Sequence, residues 1–257
     1  MMRKYGAVIP LGNFCSASFH LRNNDLQVES FPFDWVGFDN VTIPAELIAN
    51  GFKNYLVPER LERQEGENGT HIPYTQFPEK YLFYHCIDKD LPFTDACKKA
   101  QDMFKRRIER LYQYINENDS VLFVNTSNDH VEEADALKAQ EILQKRFPNK
   151  KIDLIVVDMK NSYKDYTVTE LSNNVTFVKM EFCHGKDLYS DKKEWFKEIL
   201  ADRKLGSSKD ILKTHLHKVW FTIKRLGVNI FCCFIPDKKL RKSIRKKCKV
   251  TTQAFGQ

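Results

Sequence analysis

The sequence has no long hydrophobic run and no paired cysteines. No stretch approaches the roughly 20 apolar residues that a bilayer span needs, and the short apolar run near the start ends at residues 10–13, so we predict no transmembrane or secretory segment. The seven cysteines are irregularly spaced and include no CxxC pair. This predicts neither a disulfide framework nor a zinc site, and favours a reducing compartment. We expect a cytoplasmic protein that uses no metal or cofactor.

The charge of the chain is unevenly distributed. The 257 residues are 42% hydrophobic and 12% aromatic, which indicates a globular chain large enough for one α/β domain or two small domains. The net charge is +7, but residues 209–250 contain thirteen Lys/Arg against two Asp, a local charge of +11. The rest of the chain therefore sums to −4. We predict an α/β domain over 1–205 and an amphipathic helix with a basic tail over 206–257.

Alternating strand and helix patterns predict the fold class. Apolar runs indicate buried strands at 5–11, 120–125, 152–158 and 175–180, with helices at 94–116 and 132–147. Strand, loop, helix and strand in this order are typical of a βαβ unit. We predict a mostly parallel central sheet flanked by helices, followed by a helical basic extension. An aromatic strand over 81–87 and a charged surface loop over 59–70 complete the prediction.

Cys15 is the leading candidate for a reactive residue. The strand over 5–11 passes through Gly12 and Asn13 into Cys15, and a helical pattern begins at Ser16. The amide groups and dipole of a helix N-terminus favour the thiolate, which is the nucleophilic form of cysteine. A buried structural cysteine is the alternative, and local sequence does not decide between the two.

A catalytic cysteine needs a base, and His85 is the candidate. It lies at the end of the aromatic strand, where it could take the thiol proton of Cys15. Asp34 or Asp88 would orient its imidazole, and the Cys15 amide with Asn13 would stabilise an oxyanion. For Asp34 the favoured alternative is packing, since it lies in the rigid aromatic segment FPFDW at 31–35.

Two further groups are candidates for substrate binding. Asn125, Asn128 and His130 follow a buried strand, where open α/β sheets bind ligands, although residues 127–129 could instead cap the next helix. Arg106 and Arg110 lie four residues apart on one helix face. They could bind a phosphate or carboxylate, or form an ordinary solvated face.

The C-terminal region has the pattern of an interfacial anchor. Apolar residues recur on one side of 210–226, an apolar run follows at 228–235, and residues 237–250 are strongly basic. We expect residues 209–250 to bind an anionic membrane surface, at the inner face of the membrane. Packing on the chain's own domain is the alternative. Nucleic acid is not favoured, because basic and aromatic residues do not alternate as they do in nucleic-acid-binding segments.

Several motifs resemble an uncharacterised bacterial family described as papain-like cysteine peptidases. They are LGxxC at 11–15, LR at 21–22, SxPFDW at 30–35, His85, RRxxR at 106–110 and VLFV at 121–124. The resemblance covers about residues 5–180. It implies that Cys15 is the nucleophile and His85 its partner, in a core with the cysteine on a helix and the histidine on a following antiparallel sheet.

The function predicted from the sequence is cysteine-dependent hydrolysis or acyl transfer on an unidentified substrate. A transferase for glycans or nucleotide sugars at the membrane surface is the competing hypothesis, because the basic tail resembles the ends of bacterial enzymes of surface polysaccharide synthesis. In that case Arg106 and Arg110 would bind phosphate and Cys15 would be structural. A non-catalytic membrane-associated protein is the third hypothesis.

Overall fold

A computed structural model describes residues 2–13, 15–63, 74–84, 86–88, 90–128, 131–182 and 192–248. The chain forms two compact units, Met1–Gly206 and Ser207–Gln257. The strands in chain order are β1 (Arg3–Tyr5), β2 (Ala7–Pro10), β3 (Val36–Gly37), β4 (Leu61–Arg63), β5 (Tyr74–Gln76), β6 (Tyr81–Phe83), β7 (Ser120–Ser127), β8 (Lys151–Lys160), β9 (Tyr166–Ser172), β10 (Val175–Glu181) and β11 (Arg203–Leu205). The helices are α1 (Ser16–Asn23), α2 (Thr42–Ala49), α3 (Phe93–Glu117), α4 (Glu133–Arg146), α5 (Lys193–Ile199), α6 (Ser208–Cys233) and α7 (Lys238–Lys247), with a 3₁₀ turn at Pro58–Arg60.

A five-stranded sheet forms the centre of the first unit, in the order β2-β7-β8-β10-β9. The first four strands are parallel, and β9 pairs with β10 in the antiparallel sense. The predicted βαβ unit is present as β7, α4 and β8. The mostly parallel α/β class expected from the apolar runs is therefore confirmed. The antiparallel strand β9 was not predicted, because five of its seven residues are exposed and it lacks an apolar run.

Helices cover both faces of this sheet. Alternate residues of each strand point to opposite faces, so neighbours such as Leu122 and Phe123 enter different cores. On one face Phe123 packs with residues of α2, α3 and α4. On the other face Leu122 packs with Leu21 of α1 and Phe196 of α5. This three-layer arrangement places the start of α1 at the carboxyl end of β2.

A second sheet has antiparallel strands in the order β3-β6-β5-β4. It was only partly foreseen, because its strands have two or three residues each and show no apolar period. The aromatic strand expected over 81–87 ends at Phe83. The expected surface loop at 59–70 contains β4, and its remainder from residue 64 lies outside the described residues. The strand expected over 5–11 is also divided, since Tyr5 pairs with Leu205 in a separate two-stranded sheet.

The second unit consists of α6 and α7. The apolar segment expected at 228–235 as a separate element is largely the end of α6, which runs unbroken to Cys233. Helix α7 contacts the end of α6, where Arg245 Nε donates to Asn229 Oδ1 over 3.0 Å. Among the helices that the structure describes, none combines the length and apolar character required to cross a membrane.

Candidate active site

The turn after β2 has a conformation that suits glycine. Gly12 has a φ of +77° and Asn13 a φ of +55°, both in the left-handed region. A Cβ atom on Gly12 would lie 2.8 Å from the carbonyl oxygen of Val36 and 3.1 Å from the Phe38 ring. The chain reverses tightly here because residue 12 has no side chain, and the reversal brings Cys15 to the start of α1.

The carboxyl end of β7 holds this turn in place. Asn125 Nδ2 donates to the carbonyl oxygens of Leu11 and Gly12, at 3.3 Å each. Thr126 Oγ1 donates to the Asn13 carbonyl oxygen over 3.1 Å. The side chain of Asn13 in turn donates to Ser127 Oγ over 3.0 Å. These bonds link segments more than 110 residues apart, and they fix the backbone that leads into Cys15.

Cys15 is the N-cap residue of α1. Its carbonyl oxygen accepts the Phe19 amide at 2.9 Å, which closes the first helical turn. The residue is 4% exposed, and its side chain makes no capping hydrogen bond. The first amides of a helix have no intrahelical acceptor, and an N-cap side chain is the group that normally accepts from them. A thiolate at this position would therefore be stabilised by N–H groups that a neutral thiol engages only weakly.

Asp34 lies fully buried against the opposite end of α1. Arg22 Nη2 donates to one carboxylate oxygen over 2.9 Å, and Gln27 Nε2 lies 3.1 Å from both oxygens. The Phe31 amide donates to Asp34 Oδ1 over 3.1 Å. These contacts match the packing alternative, since they fasten α1 to the FPFDW segment. Arg22 and Gln27 were not singled out from the sequence, which gives no signal that they share one buried carboxylate.

Arg110 stabilises the backbone that leads into the FPFDW segment. Its Nη1 donates to the Ser30 carbonyl oxygen over 2.7 Å, and Glu29 lies 3.9 Å away. Arg106 is exposed on α3. The two residues predicted to bind an anion therefore have different surroundings, because Arg110 contacts the segment that precedes FPFDW.

The antiparallel sheet brings the chain that precedes His85 towards the turn at Gly12 and Asn13. The Asn13 amide donates to the Val36 carbonyl oxygen over 3.2 Å, and Val36 pairs with Phe83 in β6. The Tyr84 amide donates to the Trp35 carbonyl oxygen at 3.4 Å. His85 itself lies outside the described residues. A segment seventy residues away in sequence is thus joined to the turn through the two-residue strand β3.

Asp88 is partly exposed, three residues beyond His85. Its carboxylate accepts the Asp90 amide at 3.1 Å and the Lys99 ammonium at 3.0 Å. The hydrogen bond from Lys99, followed by that from the Asp90 amide, holds the pKa of Asp88 below its usual value. Asp88 is therefore an ionised carboxylate at neutral pH.

The candidate residues at and just beyond the end of β7 differ in their surroundings. Asn125 is 2% exposed and supports the turn through its amide nitrogen, while its Oδ1 atom is buried without a hydrogen-bond partner. Asn128 is half-buried, and its Oδ1 atom is also unpartnered. His130 lies outside the described residues. The suggestion that residues 127–129 cap α4 is wrong, because the N-cap is Glu132, in a reciprocal capping box with Asp135.

His20 was missed by sequence reasoning, since its position in a short polar helix carries no distinctive pattern. It is 2% exposed and stacks on Phe196, with ring centroids 3.6 Å apart. Burial, assisted by the charge of Lys193, lowers the pKa of His20 from 6.5 to about 3. The ring is therefore neutral at physiological pH and joins α1 to α5.

A cavity of about 330 Å³ opens at the carboxyl edge of the central sheet. It is bordered by the ends of β8 and β10 and by the start of α4, and its lining includes Asp158, Lys160, Tyr163 and Lys179. Asp158 Oδ2 accepts from Tyr163 and Lys160, at 2.8 and 3.0 Å. Across the described parts of the chain, no three His, Cys, Asp or Glu side chains converge as metal ligands would.

Comparisons with known proteins add a family assignment. No solved structure matches the chain. "Uncharacterized protein R408" of Acanthamoeba polyphaga mimivirus is 41% identical over 56 residues, which are 22% of this chain and 25% of that protein. The chain thus matches about a quarter of the length of this curated relative. A family profile matches residues 6–162, more than half of the chain and including Cys15 and His85. The chain therefore belongs to the family described as "Putative papain-like cysteine peptidase (DUF1796)".

Proposed function

We propose that the protein is a cysteine-dependent hydrolase or acyl transferase in which Cys15 is the nucleophile and His85 the base. The position of Cys15 as the N-cap residue of α1 carries this proposal. The N-cap position adjoins the first helical turn, whose amides have no intrahelical acceptor and favour the reactive thiolate. The family description and the fixed turn at Gly12 and Asn13 support the same assignment.

The chemistry would follow two steps. The Cys15 sulfur attacks the carbonyl carbon of the substrate after His85 accepts the thiol proton, and the carbonyl oxygen becomes an oxyanion. The imidazolium then gives the proton to the leaving group, and an acyl-enzyme remains. Water, or another acceptor in acyl transfer, attacks the thioester with His85 again as base, and the Cys15 thiolate is regenerated. Amides of Cys15 and of the first turn of α1 are the donors for the oxyanion.

The hydrogen bonds of Asn13 change its proposed role. Its backbone N–H donates to the Val36 carbonyl oxygen and its side-chain Nδ2 donates to Ser127 Oγ, so both groups stabilise the turn. In the proposal Asn13 is a positioning residue that sets the direction of the Cys15 backbone. Oxyanion stabilisation then rests on the amides of α1.

The second sheet supports the pairing of Cys15 with His85. The family resemblance implies a cysteine on a helix and a histidine on an antiparallel sheet. Cys15 is the N-cap residue of α1, and β6 of the antiparallel sheet ends two residues before His85. The link through Val36 joins the end of this strand to the turn that precedes Cys15.

The two carboxylates have different proposed roles. Asp34 is a positioning residue, because its two oxygens accept from Arg22, Gln27 and Phe31 inside the protein. Asp88 is the candidate that orients the imidazole, because it is ionised, partly exposed and close to His85 in sequence. Asp88→Asn should lower the rate of acyl transfer without lowering stability, whereas Asp34→Asn should lower stability.

Acylation of the intact protein by p-nitrophenyl acetate tests the proposal. The ester acetylates Cys15 and releases p-nitrophenol, so we expect a burst of one equivalent and an acetyl group on Cys15 by mass spectrometry. Cys15→Ala should abolish the burst, and His85→Gln should slow it by about 10²-fold or more. Cys97→Ser is the matched control, since Cys97 is a similarly buried thiol inside α3. Absence of a burst, or equal acetylation of Cys97, would contradict the proposal.

A further inference from the structure

Helix α6 presents a continuous row of exposed apolar side chains. Each of them is more than half exposed, although residues of this size and polarity are usually buried. The row consists of Leu212 (60%), Leu216 (60%), Val219 (56%), Trp220 (63%), Ile223 (58%), Leu226 (61%), Ile230 (54%), Phe231 (60%) and Phe234 (81%, just beyond the helix). An apolar surface of this length, with three aromatic residues, marks an interaction site.

The spacing of the row places it on one side of the helix. Apart from the adjacent pairs at 219–220 and 230–231, its members recur at intervals of three or four residues from Leu212 to Phe234, which is the repeat of an α-helical face. At 100° per residue they occupy an arc of about 140°. Helix α6 has 26 residues and is therefore about 39 Å long. The row is thus a broad strip along an amphipathic helix.

Helix α7 packs on the side of α6 away from the row. Cys232, which is fully buried, lies 3.9 Å from the Arg241 carbonyl oxygen, and Asn229 accepts from Arg245. On a helical wheel Asn229 and Cys232 lie opposite the centre of the apolar arc. The sequence of α7 is KKLRKSIRKK, with seven basic residues in ten. The second unit therefore has an apolar strip on one side and a cationic helix on the other.

We infer that the second unit binds the surface of an anionic lipid bilayer, with α6 lying in the plane of the interface. The apolar strip would enter the boundary between headgroups and acyl chains, where Trp and Phe are favoured. Packed helices are about 8–10 Å apart, so the cations of α7 remain within roughly one Debye length of the headgroups. The charge of +11 over residues 209–250 is complementary to an anionic surface.

Charge also argues against a second copy of this chain as the occupant of the strip. Leu212, Leu216, Val219, Ile223, Leu226 and Ile230 follow the four-three repeat of a coiled coil. Pairing of two such units would nevertheless bring together two segments that each carry a charge of +11, and these segments repel each other. An anionic bilayer would instead neutralise this charge. The aromatic residues beside this repeat widen the strip beyond a coiled-coil seam.

Binding of the full chain to vesicles tests this inference. We expect it to sediment with vesicles that contain phosphatidylglycerol, at least ten-fold more strongly than with pure phosphatidylcholine, and less strongly as salt rises. The paired change Ile223→Gln and Phe231→Gln should reduce binding more than ten-fold. The matched control is Leu137→Gln with Val168→Gln, which removes two exposed apolar residues of the first unit.

A second set of variants tests the charge without disturbing the apolar strip. Lys238, Lys239 and Lys242 are exposed on α7, and their change to Gln should weaken binding by about fivefold per lysine at low salt. Equal binding to neutral and anionic vesicles, or equal loss in the control pair, would overturn the inference. So would a dimer in solution that the Ile223 and Phe231 changes dissociate, in a chain that does not bind vesicles.

Discussion

Acidification should destabilise the first unit through His20. The pKa of this histidine falls from 6.5 to about 3 on folding, because burial against Phe196 removes the ring from water. Below pH 6.5 the unfolded chain binds a proton that the folded chain does not bind. Folding is therefore more favourable at neutral pH, and stability is lost as pH falls from about 6.5 towards 3.

The magnitude follows from the difference between these two values. Between about pH 7.5 and about pH 5 the loss assigned to His20 is about 2 kcal/mol. Chemical denaturation at both pH values measures this loss, and His20→Phe provides the comparison. Phenylalanine can stack on Phe196 but cannot bind a proton, so the variant should lose about 2 kcal/mol less than the unmodified protein. Equal losses in both proteins would refute the reasoning.

Three further substitutions test the packing around the site. Asp34→Ala should lower the free energy of unfolding by about 3–5 kcal/mol, since it leaves Arg22 without its buried partner; denaturant unfolding measures this. Gly12→Ala should cost at least about 1–2 kcal/mol, because an alanine at this left-handed position is strained; the shift in melting temperature reports it. Tyr5→Phe should cost about 1–3 kcal/mol, because it removes the buried hydrogen bond of 2.6 Å to Asp153; the unfolding midpoint in urea reports that loss.

The parallel sheet could be predicted because its strands are long apolar runs. Residues 120–127 and 151–160 form the central strands, and their positions were foreseen to within two residues. Burial on both faces requires apolar residues at consecutive positions, and this leaves a clear pattern in the sequence. The long helix α3 was predictable for a similar reason, since one apolar stripe runs along all of it.

The short antiparallel strands could not be predicted in this way. β3 has two residues and β6 has three, and their pairing is fixed by tertiary contacts instead of by a local period. Yet β3 is the strand that joins Asn13 to Phe83. The element most relevant to the proposed pairing of Cys15 with His85 was therefore the least visible in the sequence.

The position of Cys15 was predictable, but the hydrogen bonds that hold the turn before it were not. Strand, turn and helix are local features, and they place Cys15 at the start of α1 as expected. The hydrogen bonds from Asn125 and Thr126 to the turn span more than 110 residues and leave no local trace. For the same reason the sequence does not reveal that the Asp34 carboxylate is occupied by Arg22 and Gln27.

The pH dependence of thiol alkylation tests the central claim, that the start of α1 activates Cys15. The intact protein is treated with iodoacetamide across a range of pH, and mass spectrometry follows Cys15 and Cys97 separately. Both thiols are buried, and burial raises the pKa of Cys97 above its usual value. We predict that Cys15 reacts with an apparent pKa below about 7.5, as expected for a thiolate at a helix N-terminus, while Cys97 reacts only at alkaline pH. Titration of Cys15 at about pH 8.5 or above, together with Cys97, would contradict the account.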